Sequence, residues 1–238
     1  MPSIDNLKVK IFADGADKNS MFEMYSKSYI KGLTTNPTLM KKAGVNNYEN
    51  FCKEILKTIT DKPLSLEVFS DEFIEMENQA LEIASWAENV YVKIPITNTK
   101  GEYCYDLVER LVNNKVKVNV TALMTFEQVR NVAKCLDFEV PSYVSIFAGR
   151  IADTGIDPVP LMTAAIELLS SNEKAEIIWA SPRELLNIFQ ADSIGCHVIT
   201  VTSDILNKLS FVGYDLDKYS LDTVKMFYDD AVSAGFSL

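Results

Sequence analysis

The chain has 238 residues, 47% of them hydrophobic, and a formal net charge of −10. The hydrophobic fraction is ample for one large core, and the acidic balance argues against binding nucleic acid or an anionic membrane. No run approaches the ~18 apolar residues of a membrane span, and no hydrophobic signal core opens the chain, so a cytoplasmic protein is expected.

Residues 9–14 read as a short strand ending on the carboxylate of Asp14. Residues 19–29 follow with helical spacing of Met21, Met24, Tyr25 and Tyr29. A second strand over 32–36 is stopped by Pro37. A helix over 48–58 puts Phe51, Ile55 and Leu56 on one face, and a third strand covers 64–69. An acidic amphipathic helix over 71–86 opens on Asp71, whose side chain suits an N-cap. The fourth strand, 90–95, is a hydrophobic run typical of a strand buried on both faces, yet it contains Lys93.

The second half repeats the rhythm. A helix over 102–113 leads to a strand over 116–121. The helix over 125–136 opens with Thr125 and carries Gln128 three residues on, the spacing of a capping box. A strand over 143–148 precedes Gly149 and Arg150, and the helix over 158–169 has proline near its first turn. A strand over 176–181, a helix over 182–190, a strand over 196–201 and a short helix over 203–208 follow. The last helix, 221–234, is closed by Gly235. Strands alternating eight times with helices make a (β/α)8 TIM barrel. The expected organisation is a single domain over 1–238, with 220–238 as an extra C-terminal helical tail. A doubly wound sheet would have fewer strands at this length, and no G-x-G-x-x-G follows the first strand.

The four cysteines, Cys52, Cys104, Cys135 and Cys196, are scattered without a C-x-x-C, as reduced thiols would be. His197 is the only histidine, which excludes histidine-rich metal sites. It lies in an apolar strand pattern and reads as structural. No G-x-S-x-G supports a serine nucleophile.

Polar residues fall instead where strands end, and a barrel collects its active site at those ends. Asp14 closes the first strand; Thr34 and Asn36 close the second. Glu67 lies in the third strand and Lys93 in the fourth. Asn119 and Thr121 share a face of the fifth. Ser145 and Phe147 share a face of the sixth, with Arg150 after it. Ser181 closes the seventh and Arg183 follows. Each has a plain reading of its own: Asp14 as a helix cap, Asn36-Pro37 as a turn, Arg150 paired with Asp153 or Asp157, Thr121 as a β-former, Lys93 as a lysine that snorkels to water. Together they put polar groups on seven successive strands where apolar residues would otherwise pack, and one shared pocket would satisfy them.

Burial favours the neutral form of a lysine, and a neutral amine attacks carbonyls. Lys93 is therefore the Schiff-base candidate, toward a ketose. Glu67, acting through a water, is the candidate for the proton transfers of imine formation, since histidine is unavailable. Asp14 is the candidate base for the C4 hydroxyl during C3–C4 cleavage. Asn36, Asn119, Thr121 and Ser145 suit sugar hydroxyls, while Arg150 and Arg183 suit a terminal phosphate.

These residues sit in stretches that resemble the transaldolase family, and by length its small subgroup that includes the fructose-6-phosphate aldolases. The similarity runs over 12–209. Residues 32–39, GLTTNPTL, resemble G-x-T-T-N-P-S-L; 92–95, VKIP, with Thr97 and Gly101, resemble the Schiff-base lysine motif. Residues 119–122 resemble N-x-T-A, 145–151 resemble S-P-F-V-G-R-I, and 180–183 resemble A-S-F-R. The resemblance implies transfer of a dihydroxyacetone unit between sugar phosphates by Asp14, Glu67 and Lys93, with no metal and no organic cofactor. It also implies a homo-oligomer, a pentamer or decamer among the options, with the C-terminal helix reaching a neighbour. Glu67 and Phe147 favour transferase over aldolase, because the aldolase subgroup resembled here carries glutamine and tyrosine at those positions. Gly15, Ile146 and Pro182 depart from the family pattern, the last two beside the expected phosphate clamp. The alternatives are a fructose-6-phosphate aldolase and a non-catalytic barrel that binds sugar phosphates.

Overall fold

The computed structural model describes residues 4–237. Eight runs, mostly rich in branched aliphatic residues, form parallel strands: β1 (Lys10–Asp14), β2 (Ile30–Thr34), β3 (Leu64–Glu67), β4 (Val90–Pro95), β5 (Val118–Leu123), β6 (Ser142–Ile146), β7 (Ala175–Trp179) and β8 (Val198–Thr202). They pair in sequence order, and β8 returns to β1 to close a barrel. Closure leaves no free sheet edge. The surrounding helices are α1 (Lys18–Ser26), α2 (Pro37–Lys42), α3 (Tyr48–Leu56), α4 (Phe73–Ala84), α5 (Tyr105–Asn113), α6 (Phe126–Cys135), α7 (Ala148–Ala152), α8 (Val159–Leu169), α9 (Leu186–Ser193), α10 (Ser203–Leu206) and α11 (Leu216–Ser233). This is the (β/α)8 barrel with an added C-terminal helix. Among the described residues no helix is long and apolar enough to cross a membrane.

Strand alternation divides the packing in two. On β4, Val90, Val92 and Ile94 face outward into the large core shared with the helices, alongside Leu107 and Leu111 of α5. Tyr91 and Lys93 take the opposite parity. Inside the barrel, Phe12, Tyr143, Ile178, Ala180 and Val198 form a separate apolar cluster, with Tyr91 and Phe147 packed against it. Phe12 meets Tyr143 edge-on at 5.6 Å. Gly32 makes room for this floor, since a Cβ there would lie 2.5 Å from the Phe12 ring. The polar layer of the barrel lies above these rings, at the C-terminal ends of the strands.

Several boundaries differ from the sequence expectations. Strand β2 ends at Thr34, and Asn36 instead caps α2, a helix absent from the expected pattern; its Oδ1 accepts from Leu39 N at 2.9 Å. Asp71 does not cap α4, whose N-cap is Glu72. Its carboxylate accepts from Thr99 N and Oγ1 at 2.7 and 2.6 Å, tying two loops at the barrel mouth. Helix α11 starts at Leu216, capped by Asp215. The Thr125–Gln128 capping box is present in full. His197 is structural: its Nδ1 accepts from Ile177 N at 3.1 Å, and burial holds its imidazole below the usual range.

Candidate active site

Parallel register brings the central residues together. Glu67 on β3 is level with Lys93 on β4, which is level with Asn119 on β5. On the other side Asp14 on β1 is level with Thr34 on β2. Lys93 is 7% exposed. Its Nζ lies 3.0 Å from Glu67 Oε2 and donates to the Thr35 carbonyl at 2.9 Å. The lysine thus meets a carboxylate and a carbonyl rather than an apolar wall, so proton acceptors stand beside the amine.

Asp14 has a different environment. Thr34 Oγ1 donates to its Oδ1 at 2.7 Å. Burial raises its carboxyl above the ordinary value of 3.8; the nearby Lys93 charge and the Thr34 hydrogen bond oppose that rise, and the Glu67 charge adds to it. Desolvation wins because a carboxylate loses more water than one hydroxyl returns. Two acids therefore flank one amine, one in direct contact with it and one set apart.

The floor of the polar layer is a hydrogen-bonded chain. Ser145 Oγ donates to Asn119 Oδ1 at 2.7 Å, and Asn119 Nδ2 donates to Ser65 Oγ at 3.0 Å. This fixes the amide of Asn119. Thr121 Oγ1 is buried with no partner among the described residues. An unpaired buried hydroxyl costs about 1–3 kcal/mol, and a ligand hydroxyl would satisfy it.

At the rim, β6 and β7 approach closely. A Cβ on Gly149 would fall 1.6 Å from the Ser181 carbonyl oxygen, so only glycine fits there. Ser181 itself is left-handed, with φ 59°. Arg183 is tied down: its Nε and Nη2 donate to Asp153 at 2.9 and 2.5 Å, and Nη1 donates to Ser181 Oγ at 2.9 Å. It is thus Arg183, not Arg150, that pairs with Asp153. Arg150 stacks over the Phe147 ring at 5.8 Å and forms no ion pair among the described residues.

All twelve residues expected from the sequence line one cavity of about 640 Å³ at the C-terminal mouth. The cavity also takes in Thr200, Thr202, Lys42 and Asp204, which the sequence reading passed over. Thr200 sits in the middle of β8, where threonine is an ordinary strand residue, so its type alone does not mark it. A second cavity, of about 630 Å³, opens at the other end of β1 beside Lys8 and Lys31 and contains no paired acid and amine. The thiols are not rival nucleophiles, since burial pushes Cys52, Cys104 and Cys196 up to about 12 and Cys135 up to about 11. Among the described residues no cluster of His, Cys, Asp or Glu could hold a metal ion.

A family model described as Transaldolase/Fructose-6-phosphate aldolase matches residues 11–238. The chain belongs to the transaldolase/fructose-6-phosphate aldolase family. It is 34% identical over 202 residues to a probable transaldolase of Methanococcus maripaludis, covering 84% of this chain and 89% of that one. It is 35% identical over 202 residues to probable transaldolase 2 of Listeria monocytogenes, covering 84% and 88%. Among solved structures it is similar to a putative phosphonomutase from Burkholderia cenocepacia, at TM-score 0.55 and 13% identity over 92% of this chain and 94% of that one. It is also similar to dihydrodipicolinate synthase from Rhodopseudomonas palustris, at TM-score 0.51 and 12% identity over 98% and 82%. At such identity the likeness is one of fold alone.

Proposed function

We propose that this family member is a transaldolase, moving a dihydroxyacetone unit from a ketose phosphate such as fructose 6-phosphate to an aldose phosphate such as erythrose 4-phosphate, the transfer used in the pentose phosphate pathway. The observation that carries the reading is the Lys93 amine, buried in the mouth cavity 3.0 Å from Glu67 with Asp14 in the same cavity. The Lys93 nitrogen bonds to the ketose C2 carbon while the carbonyl oxygen takes a proton, giving a carbinolamine. The hydroxyl then leaves as water and an imine remains. Glu67 relays these protons through a water. The C3–C4 bond breaks with its electron pair drawn into the imine, while Asp14 takes the proton of the C4 hydroxyl. The aldose phosphate departs and an enamine stays on Lys93. The enamine carbon then bonds to the acceptor aldehyde, Asp14 returns its proton to the new hydroxyl, and water releases the product from Lys93.

Asn119, Thr121 and Ser145 serve the sugar hydroxyls, with the unpaired Thr121 Oγ1 the best placed to gain. Asn36 keeps its amide N–H groups for substrate while its oxygen caps α2. Arg150, Arg183 and Ser181 serve the phosphate. Glu67 and Phe147 support transfer over aldolase release, by resemblance to the two branches of the family. The enzyme works in the cytoplasm as a homo-oligomer.

Borohydride added after fructose 6-phosphate tests the reading. The expected result is a mass gain at Lys93, absent from Lys93→Ala. An adduct that persists in that variant, or none in the parent, overturns it. With erythrose 4-phosphate present turnover continues; without an acceptor it stalls after one half-reaction. Steady release of free dihydroxyacetone without acceptor would instead mark an aldolase.

A further inference from the structure

Thr200 projects from the middle of β8, level with Phe12 of β1, and is buried. Its Oγ1 lies 2.5 Å from Thr34 Oγ1. Thr34 has one hydroxyl proton, and an ionised Asp14 takes it, since Thr34 Oγ1 donates to Asp14 Oδ1. The proton between the two threonines must therefore come from Thr200. We infer that Thr200 is a positioning residue for Asp14: a two-hydroxyl relay, Thr200 to Thr34 to Asp14, orients the carboxylate and strengthens its hold on negative charge. Hydrogen bonds in series polarise one another, so the outer hydroxyl strengthens the inner bond. When Asp14 takes a proton from the substrate on Oδ2, Thr34 keeps donating to Oδ1 and Thr200 to Thr34, so the relay stays in place. Oδ1 is thereby occupied, and Oδ2 is left for the substrate.

The groups facing Asp14 are known. Lys93 on β4 favours its ionised form and Glu67 on β3 opposes it. On the β8 side, Thr202 Oγ1 bonds Asp204 of α10. Lys42 of α2, Arg150 of α7 and Arg183 after β7 line the same cavity. None of them donates a hydrogen bond to Asp14, so the relay is its one hydroxyl support among the described residues.

The inference rests on the proposed role of Asp14 as the base. It is tested by the pH dependence of kcat/KM for the parent, Thr200→Val and Thr200→Ser. Removing the donor weakens the Thr34–Asp14 bond, so Thr200→Val should move the acidic limb to higher pH by roughly half a unit, with the plateau kept within about twofold. Thr200→Ser retains the hydroxyl and should follow the parent. An unmoved limb in Thr200→Val, a uniform loss at every pH, or an equal shift in Thr200→Ser overturns the relay. Should the valine variant fail to fold, Thr200→Ala carries the same expectation. Borohydride trapping keeps the two readings apart, because the relay leaves the Lys93 adduct intact. If the parent forms no adduct, carbon NMR titration of the Asp14 carboxyl still tests the relay: its midpoint must rise in Thr200→Val.

Discussion

Asp14 is held at a cost to stability. Its carboxyl is raised above 3.8 chiefly by burial, so between that ordinary value and the higher folded one the native state binds more protons than the unfolded chain. Stability is then lost as pH rises through this window, and the ionised group is a liability at neutral pH. Asp14→Asn keeps an oxygen for Thr34 and removes the charge. It should raise the urea midpoint at pH 7 while slowing C3–C4 cleavage by about 10²- to 10⁴-fold. Borohydride should still trap the imine in that variant. A midpoint that falls would mean the charge is well solvated. Glu67→Gln should act earlier in the sequence, slowing appearance of the Lys93 adduct by about 10²-fold, read by stopped-flow quench. At this scale the sequence was informative because chemistry-bearing types stand at strand ends within apolar runs: Lys93 between Val92 and Ile94 is conspicuous. Thr200 is not, because threonine is an ordinary strand residue; only its 2.5 Å contact with Thr34 reveals a role.

Elements explain what the motifs around the rim are for. The chain turns from β6 into α7 with Gly149 pressed against the Ser181 carbonyl, and Ser181 takes a left-handed backbone to meet it. A left-handed non-glycine residue costs roughly 1–2 kcal/mol, and its return is geometric: Ser181 Oγ and Asp153 hold Arg183 from two sides. Gly149→Ala cannot be absorbed by a side chain, because the atom it meets is backbone. The expected outcome is a loss of about 1–3 kcal/mol in urea denaturation, with a higher KM for fructose 6-phosphate and an unaltered yield of borohydride adduct at saturating substrate. The alternation of strand and helix was legible, since it depends on local periodicity. The short helices α2 and α7 were not, because each lies inside a strand-to-helix connection too brief for a periodic signal. The Arg183–Asp153 pair was equally hidden: it joins residues thirty positions apart, and only the packing of α7 beside β7 brings them together.

At the scale of the whole molecule, the barrel supplies its own interior and leaves one element outside. Helix α11 has eighteen residues and none is buried. Leu216, Leu221, Val224, Met226, Phe227, Tyr228 and Val232 are all exposed, and the helix touches the rest of the chain chiefly through Phe211, Tyr214 and Tyr219. Isolated helices of this length are marginal in water, and each large apolar side chain left out forgoes about 1.5–3 kcal/mol of burial. Those exposed apolar side chains need a partner surface to cover them. In the proposed homo-oligomer a neighbouring copy would supply that surface, each copy offering the same helix and receiving another. Light scattering on the full chain should therefore give a mass that is a multiple of 26.7 kDa, stable on dilution. Ending the chain at Gly213 removes α11 but leaves β8 and the whole cavity lining in place. The shortened protein should fall to a smaller assembly and melt at a lower temperature, yet still form the borohydride adduct at Lys93. A full chain that runs as a monomer would show that α11 stays uncovered, and an adduct lost on shortening would show that the helix serves the mouth of the barrel.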